Sequence, residues 1–251
     1  MAQQFVVVKL MGRLGNQFYQ LATAVAYAKR HGFQYFATST AENCDDNAYY
    51  FKNFPQRDMG GSIYQEKIDD QGYAYYADIP NIPNVFLIGY WQSFQYFDDH
   101  RQDVLEAFNL PYEMKNDYVS IHVRRGDYLQ LSDKLNILPL DYYRNAISVY
   151  KGQINRKYKY KVYSDDINWC KQHFDQSFGV EFEFSEGKTE LEDFIEMSCC
   201  EHNVLANSTF SFAASWFNQN ENKLICTPDE QNMFGGHNRQ MIPDTYTKIK
   251  F

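Results

Sequence analysis

Proline and glycine are scarce, 7 and 13 in 251 residues, and neither forms a tract, so repeat and low-complexity architectures are excluded. Cysteine is scarcer still: Cys44, Cys170, Cys199, Cys200 and Cys226. Their number is odd, two are adjacent and no Cys-x-x-Cys pair occurs, so a reduced setting is expected. Cys199 and Cys200 read as core thiols on a helix. There is no signal peptide and no apolar run long enough to cross a bilayer, so the expected location is cytoplasmic, with peripheral membrane association left open. No His-Glu-x-x-His and no calcium loop occurs, and no metal site is expected. Basic charge is in deficit as well, with 24 Lys and Arg against 32 Asp and Glu, a net −8. That balance argues against a nucleic-acid partner. Any anionic ligand must therefore be held by local basic residues and helix ends.

What the chain does hold is 44% hydrophobic residues, enough for a globular core, and an 18% share of aromatics with 21 Tyr and 20 Phe. Most of these rings fill core; Tyr and Trp at a cleft also suit the faces of sugars. The densest chemistry is His122-Val123-Arg124-Arg125-Gly126-Asp127-Tyr128, which follows the alternating strand Tyr118-Val119-Ser120-Ile121. Guanidiniums match phosphate oxygens with paired hydrogen bonds, and ligands of open α/β sheets bind beyond the carboxyl ends of strands. The stretch reads as an anion-binding loop for a nucleotide diphosphate. A solvated turn with an ion pair is the bland alternative.

The chain opens with a strand, Phe5 to Leu10, a loop holding Gly12 and Gly15, and a helix with Phe18, Leu21, Ala22, Val25 and Ala28 on one face, stopped at His31-Gly32. The loop is neither a dinucleotide fingerprint nor a Walker loop. The two glycines suit a tight turn and close ligand approach. Asn16 stands where a helix cap or a substrate contact would be, and local evidence favours the cap. Residues 38 to 84 show no clean period and are expected to be irregular with short helices. Val85 to Ile88 reads as a buried strand, with a helix from about Asp99 to Phe108.

Strand and helix then alternate: strands at Tyr118–Val123, Tyr160–Tyr163, near Val180–Phe184, at Asn203–Ala206 and, last, Lys223–Cys226, with helices between them. This rhythm predicts a parallel sheet with helices on its faces. The best junction lies between Asn109 and Asp117, dividing the chain into 1-114 and 115-251. Within the second part, Ser208 and Thr209 before a helix can present hydroxyls and N–H groups to a phosphate, or simply cap it. Asp193 can accept two N–H donors from a guanine edge, or favour its own helix dipole. Asp165 and Asp166 can bind ribose hydroxyls or cap a helix, the cap being preferred for Asp166. His122 is a core histidine or a donor to a base or phosphate.

Met11-Gly12-Arg13-Leu14-Gly15-Asn16-Gln17-Phe18-Tyr19-Gln20 resembles the N-terminal motif of glycosyltransferase family 11, the α-1,2-fucosyltransferases. Gly89-Tyr90-Trp91-Gln92-Ser93 with Tyr96-Phe97, the His122 to Tyr128 heptapeptide, Asp141-Tyr142-Tyr143, Tyr163-Ser164-Asp165-Asp166 with Trp169-Cys170, and Asp193 through Asn218 continue the resemblance in order. It implies a GT-B-like α/β fold, two Rossmann-type parallel-sheet domains facing a cleft, the first on the acceptor side and the second holding GDP-fucose. By position, Arg124 would contact the β-phosphate, Asp193 the guanine, His122 the guanine or its neighbouring ribose, and Ser208, Thr209 and Phe210 the phosphates. Asn16, beside Gly15, would lie near the phosphates and the sugar, with Asp165 also on the donor side. Phe212 and Ala213 stand where the family commonly has two tryptophans, and Ala214 where it has glycine, which bears on packing or the acceptor side of that helix.

The activity implied is inverting transfer of L-fucose from GDP-β-L-fucose to the 2-hydroxyl of a β-galactoside in an oligosaccharide, without a cofactor or metal. Arg124, Asp127 and Asn16 are the catalytic candidates, Asp127 as general base or as a group orienting an arginine. The alternatives are a glycan- or nucleotide-sugar-binding module without turnover, and a fucosyltransferase of another linkage. An adhesion ligand built on Arg125-Gly126-Asp127 is a chance reading.

Overall fold

The computed structural model describes residues 3–42, 50–58, 60–70, 74–131, 135–153, 156–229 and 242–251. Cys44 and the Asp45-Asp46 pair lie outside them. The chain divides into two compact units, Met1–Leu110 and Pro111–Phe251. The division falls inside the Asn109–Asp117 stretch, since Tyr112 and Glu113 already bond into the second unit. The Tyr112 hydroxyl accepts from Gln219 N at 3.2 Å, and Glu113 N donates to Cys199 Sγ at 3.4 Å.

In the first unit, β1 (Phe5–Met11), α1 (Leu14–His31), β2 (Gln34–Glu42), β3 (Ser62–Gln65), β4 (Val85–Ile88) and α2 (Arg101–Phe108) follow in order. The sheet runs β2-β1-β4-β3, with every pair parallel. The single apolar stripe expected on α1 is too narrow a description. From Leu14 to Ala28 every residue but Asn16 is buried, including Gln17, Gln20 and Thr23. Phe18 packs against Phe97 and Phe108 and Tyr19 stacks on Phe94, so the side of α1 away from the strands is covered by rings. A helix enclosed all round needs apolar residues all round. Gly32, at φ 71, closes it as expected. Residues 38 to 84, expected to hold short helices, instead extend β2 to Glu42 and supply β3, with no helix among the described residues.

The second unit contains β5 (Lys115–Val123), α3 (Leu140–Gln153), β6 (Lys159–Ser164), α4 (Ile167–His173), β7 (Phe182–Phe184), α5 (Glu190–Cys199), β8 (Cys200–Val204), α6 (Thr209–Phe217), β9 (Ile225–Pro228) and β10 (Thr247–Ile249). Its sheet is ordered β10-β9-β8-β5-β6-β7, again parallel throughout. The chain walks from β5 outward to β7, then restarts beside β5 and walks the other way. The strand order therefore reverses between β5 and β8, the position beyond which open α/β sheets bind their ligands. The strand expected at Asn203–Ala206 lies at Cys200–Val204, because the backbone turns into the sheet directly after α5. Cys199 alone of the adjacent cysteines is helical, though both thiols are buried and free. Lys223–Cys226 was expected to be the last strand, but β10 follows it on the sheet edge.

One face of this sheet packs on α3. Val119, Ile121 and Val162 meet Tyr142, Ala146, Ile147 and Tyr150. Burying a phenol strands its hydroxyl unless an acceptor is in reach. Tyr150 donates to Asn203 O at 2.8 Å and Tyr142 to Leu205 O, so both serve carbonyls along and just beyond β8. On the opposite face, Asn203 Nδ2 donates to Ser120 Oγ at 2.7 Å and Asn218 Nδ2 to Asn203 Oδ1 at 2.8 Å. All three residues are fully buried. They tie β5, β8 and the end of α6 into one rigid frame. Replacing Asn203 by Ala should leave Ser120 and Asn218 short of partners and cost about 2–4 kcal/mol, read as a lower urea midpoint.

Candidate functional site

The carboxyl ends of β5 and β8 carry the groups singled out in the sequence. His122 points to the α5–α6 side, opposite the core residues Ile121 and Val123. Its ring lies 5.2 Å from that of Phe210, and Phe210 lies 5.8 Å from Phe194. Tyr128, just past the arginines, donates its hydroxyl to Asn207 O at 2.9 Å. The arginine loop and the start of α6 are thus joined by a ring contact and a buried hydrogen bond.

Asp165, at the end of β6, organises the loop. Its Oδ1 accepts from Arg125 N at 2.9 Å and its Oδ2 pairs with Arg124 at 3.0 Å. Arg124 also donates to Asp127 at 2.8 Å and lies over the Tyr128 ring, 5.4 Å from its centroid. A guanidinium has five N–H donors in a fixed plane, so two carboxylates set its orientation and leave donors for a ligand. Arg125 stands over Trp169, with Cζ 3.7 Å from the ring centroid, and reaches Asp166 at 3.4 Å, so both its partners are within the fold. Asp166 caps α4 through Trp169 N at 3.3 Å, as its sequence position implied.

His122 is 5% exposed, and its Nδ1 has no hydrogen-bond partner among the described residues. Burial first, then Arg124, push its pKa down to about 3 against the opposing pull of Asp165. The ring is therefore neutral at physiological pH, able to donate from one nitrogen and accept at the other.

Ser208 occupies the cap position of α6, yet its side chain makes no cap hydrogen bond. A capping serine normally adds about 1 kcal/mol to a helix. Here the hydroxyl of the buried Ser208 and the first N–H groups of α6 are left for another acceptor beside Thr209 and Phe210. The altered positions Phe212, Ala213 and Ala214 are fully buried, and Phe212 stacks on Tyr246 at 6.4 Å. They are packing positions of the second unit.

Asp193 lies in the first turns of α5, beside Phe194. Ser185 Oγ donates to its Oδ1 at 2.6 Å. Burial raises its pKa, opposed by Ser185 and by Lys188 and Lys161. One turn on, Glu196 receives Lys115, Lys161 and Lys188 together. Burial works to raise the Glu196 pKa, but the three ammoniums hold it at about 2. Sequence reasoning missed Ser185 and this cluster. A lysine inside the buried run Tyr160-Lys161-Val162-Tyr163 was the available signal, since it requires a carboxylate opposite it.

Gly15 and Asn16 belong to the first unit. Asn16 is not a cap: α1 starts at Leu14 after Arg13, and Asn16 is its third residue, accepting from Gln92 Nε2 at 2.8 Å. Gly15 is likewise inside the helix. Gly12 makes the turn, at φ 71, and a Cβ there would come within 2.4 Å of Asn16 Nδ2. Gln17 donates to Gly12 O at 3.0 Å, and Gln20 bonds both N and O of Met11, so buried amides fix the loop.

The second unit thus brings an arginine loop and free helix-start donors together at its strand-order reversal, an arrangement suited to a phosphate-bearing ligand. The model of "Glycosyl transferase family 11" matches residues 1–235, and the chain belongs to that family. It is 28% identical to an α-1,2-colitosyltransferase of Escherichia coli over 89% of this chain and 91% of that one. It is 25% identical to galactoside α-(1,2)-fucosyltransferase 1 of Homo sapiens over 82% of this chain, spanning 63% of that protein's length. Among solved structures it resembles fucosyltransferase NodZ from Bradyrhizobium, with TM-score 0.54 at 13% identity, covering 86% of this chain and 93% of that one. A NodZ α-1,6-fucosyltransferase structure soaked with GDP-fucose gives TM-score 0.53 over 92% and 97%. The likeness shows the GT-B-like fold expected. No helix among the described residues is long and apolar enough to cross a membrane.

Gly126 faces Asp165, and a Cβ there would stand 2.8 Å from Oδ2. Because Asp165 is pinned on both oxygens, it cannot yield without releasing Arg124. Gly126→Ala should weaken binding of a nucleoside diphosphate about tenfold in calorimetry while the unfolding midpoint barely moves.

Proposed function

We propose that the protein is an inverting α-1,2-fucosyltransferase that moves L-fucose from GDP-β-L-fucose to the 2-hydroxyl of a β-galactoside. The observation carrying this reading is the Arg124 loop joined to the uncapped start of α6 at the β5–β8 reversal. A diphosphate needs several converging donors, and this is where the second unit concentrates them. The linkage follows the α-1,2 relatives, and the donor follows the GDP-fucose-soaked NodZ.

The acceptor oxygen attacks the anomeric carbon on the face opposite GDP, forming the new C–O bond as the bond to phosphate breaks. The product is α-linked, and the acceptor proton leaves to a base or to solvent. Positive charge develops on the sugar and negative charge on the β-phosphate. Arg124 and the N-terminus of α6 stabilise the latter without a metal ion, from positions set before the reaction. His122, neutral and with a bare Nδ1, serves the base or ribose, and Asp193 the guanine edge. Asp127 presents Arg124 through its 2.8 Å contact. That contact commits the Asp127 carboxylate to orienting Arg124 rather than to removing the acceptor proton.

The Escherichia coli relative supports one second reading, in which linkage and site are kept but the sugar moved is colitose. Transfer from fucosyl and colitosyl donors to β-galactosides, followed by GDP release and linkage analysis, separates the two. No GDP release with either donor would leave a binding module. Arg124→Ala should lower turnover by roughly a hundred- to a thousandfold with little change in folding. Asp127→Asn should lose much less, and near-normal turnover in the Arg124 variant would refute the assignment.

A further inference from the structure

We propose that Ser185 is a positioning residue that sets the nucleobase preference of the donor site by fixing the orientation of the Asp193 carboxylate. This rests on the reading of Asp193 as the group that meets guanine. A guanine edge offers two donors side by side, the ring N1–H and the exocyclic 2-amino group. A carboxylate meets both only when its plane is turned to theirs, and an aspartate free to rotate spends most of its time misaligned.

Ser185 removes that freedom. It follows β7 directly, at the carboxyl end where ligands of such sheets bind, and is 7% exposed. Its N–H donates to Val162 O at 2.9 Å, which continues the β6–β7 ladder and fixes its backbone. From there the hydroxyl donates to Asp193 Oδ1 at 2.6 Å, the length of a charge-assisted bond. Asp193 Oδ2 has no hydrogen-bond partner among the described residues, and the side chain is only half-buried.

Nor does α5 need Asp193 for its own start. Thr189 and Glu192 form a reciprocal capping box, with Thr189 Oγ1 accepting from Glu192 N at 3.3 Å and Glu192 accepting from Thr189 N at 2.7 Å. The helix end is satisfied at Thr189, four residues earlier, which leaves the Asp193 carboxylate to the ligand. Behind it stand three ammoniums on the single carboxylate of Glu196. Two of them, Lys161 and Lys188, act on Asp193 as well and favour its ionised form.

The test compares binding of GDP and of inosine diphosphate, which lacks the 2-amino group, to the full chain and to Ser185→Ala, Ser185→Thr and Asp193→Ala, alongside donor KM and kcat. Expected for Ser185→Ala is GDP affinity lower on the order of tenfold. The preference for GDP over inosine diphosphate should fall toward that of Asp193→Ala, and donor KM should rise with kcat within about twofold. Ser185→Thr keeps the hydroxyl and should restore the preference. Should the alanine variant not fold, Ser185→Cys, nearly isosteric and a poor donor, is expected to show the same loss. An unchanged preference in Ser185→Ala, with Asp193→Ala losing it, overturns the role of Ser185 and leaves the base assignment standing. An unchanged preference in Asp193→Ala overturns the reading of Asp193 and the proposal with it.

Discussion

The grip of Asp165 on two consecutive residues is the constraint from which the second unit's site follows. One oxygen takes the Arg125 backbone and the other the Arg124 guanidinium, so the loop after β5 is set by the end of β6. A free arginine carries about 2 kcal/mol of rotamer entropy, and a ligand that had to order it would lose that much affinity. Here the ordering is done within the fold. Glycine at 126 is the corollary, because the carboxylate occupies the space a side chain would take.

The donor geometry at the start of α6 rests on a different device. Asn203, Ser120 and Asn218 lock β8, β5 and the helix's far end with hydrogen bonds that water cannot reach. A buried network of this kind is stabilising only when complete, and it fixes one packing among many. With its C-terminal end held, α6 tolerates an unused cap at its N-terminal end. The stability lost there is small against what a preorganised phosphate site contributes to a transition state.

Much of this was legible in the sequence, for identifiable reasons. The strand at Tyr118 to Val123 and the helix after Ser208 were readable as apolar runs following polar turns, although both prove buried nearly all round rather than on one face. Arg124, Asp127 and Ser208 were legible as chemistry because their types cluster at strand and helix ends. What escaped was set by packing between elements distant in the chain. Asn16 sits in a position that suits a cap, but Gly12 turns earlier and lets the helix begin at Leu14. The extent of β2 is decided by its pairing with β1, a contact invisible in a window of residues 38 to 42. β10 has only three residues, of which one is buried, too little for a period to show. Ser185 gained its meaning from Asp193, eight residues on and across a loop.

Because each unit has its own parallel sheet and its own buried core, sequence change in one can be absorbed without repacking the sheet of the other. Most of the groups proposed for the nucleotide lie after Pro111, so on that reading a recombination joint near this position would transmit the donor site as one inherited block.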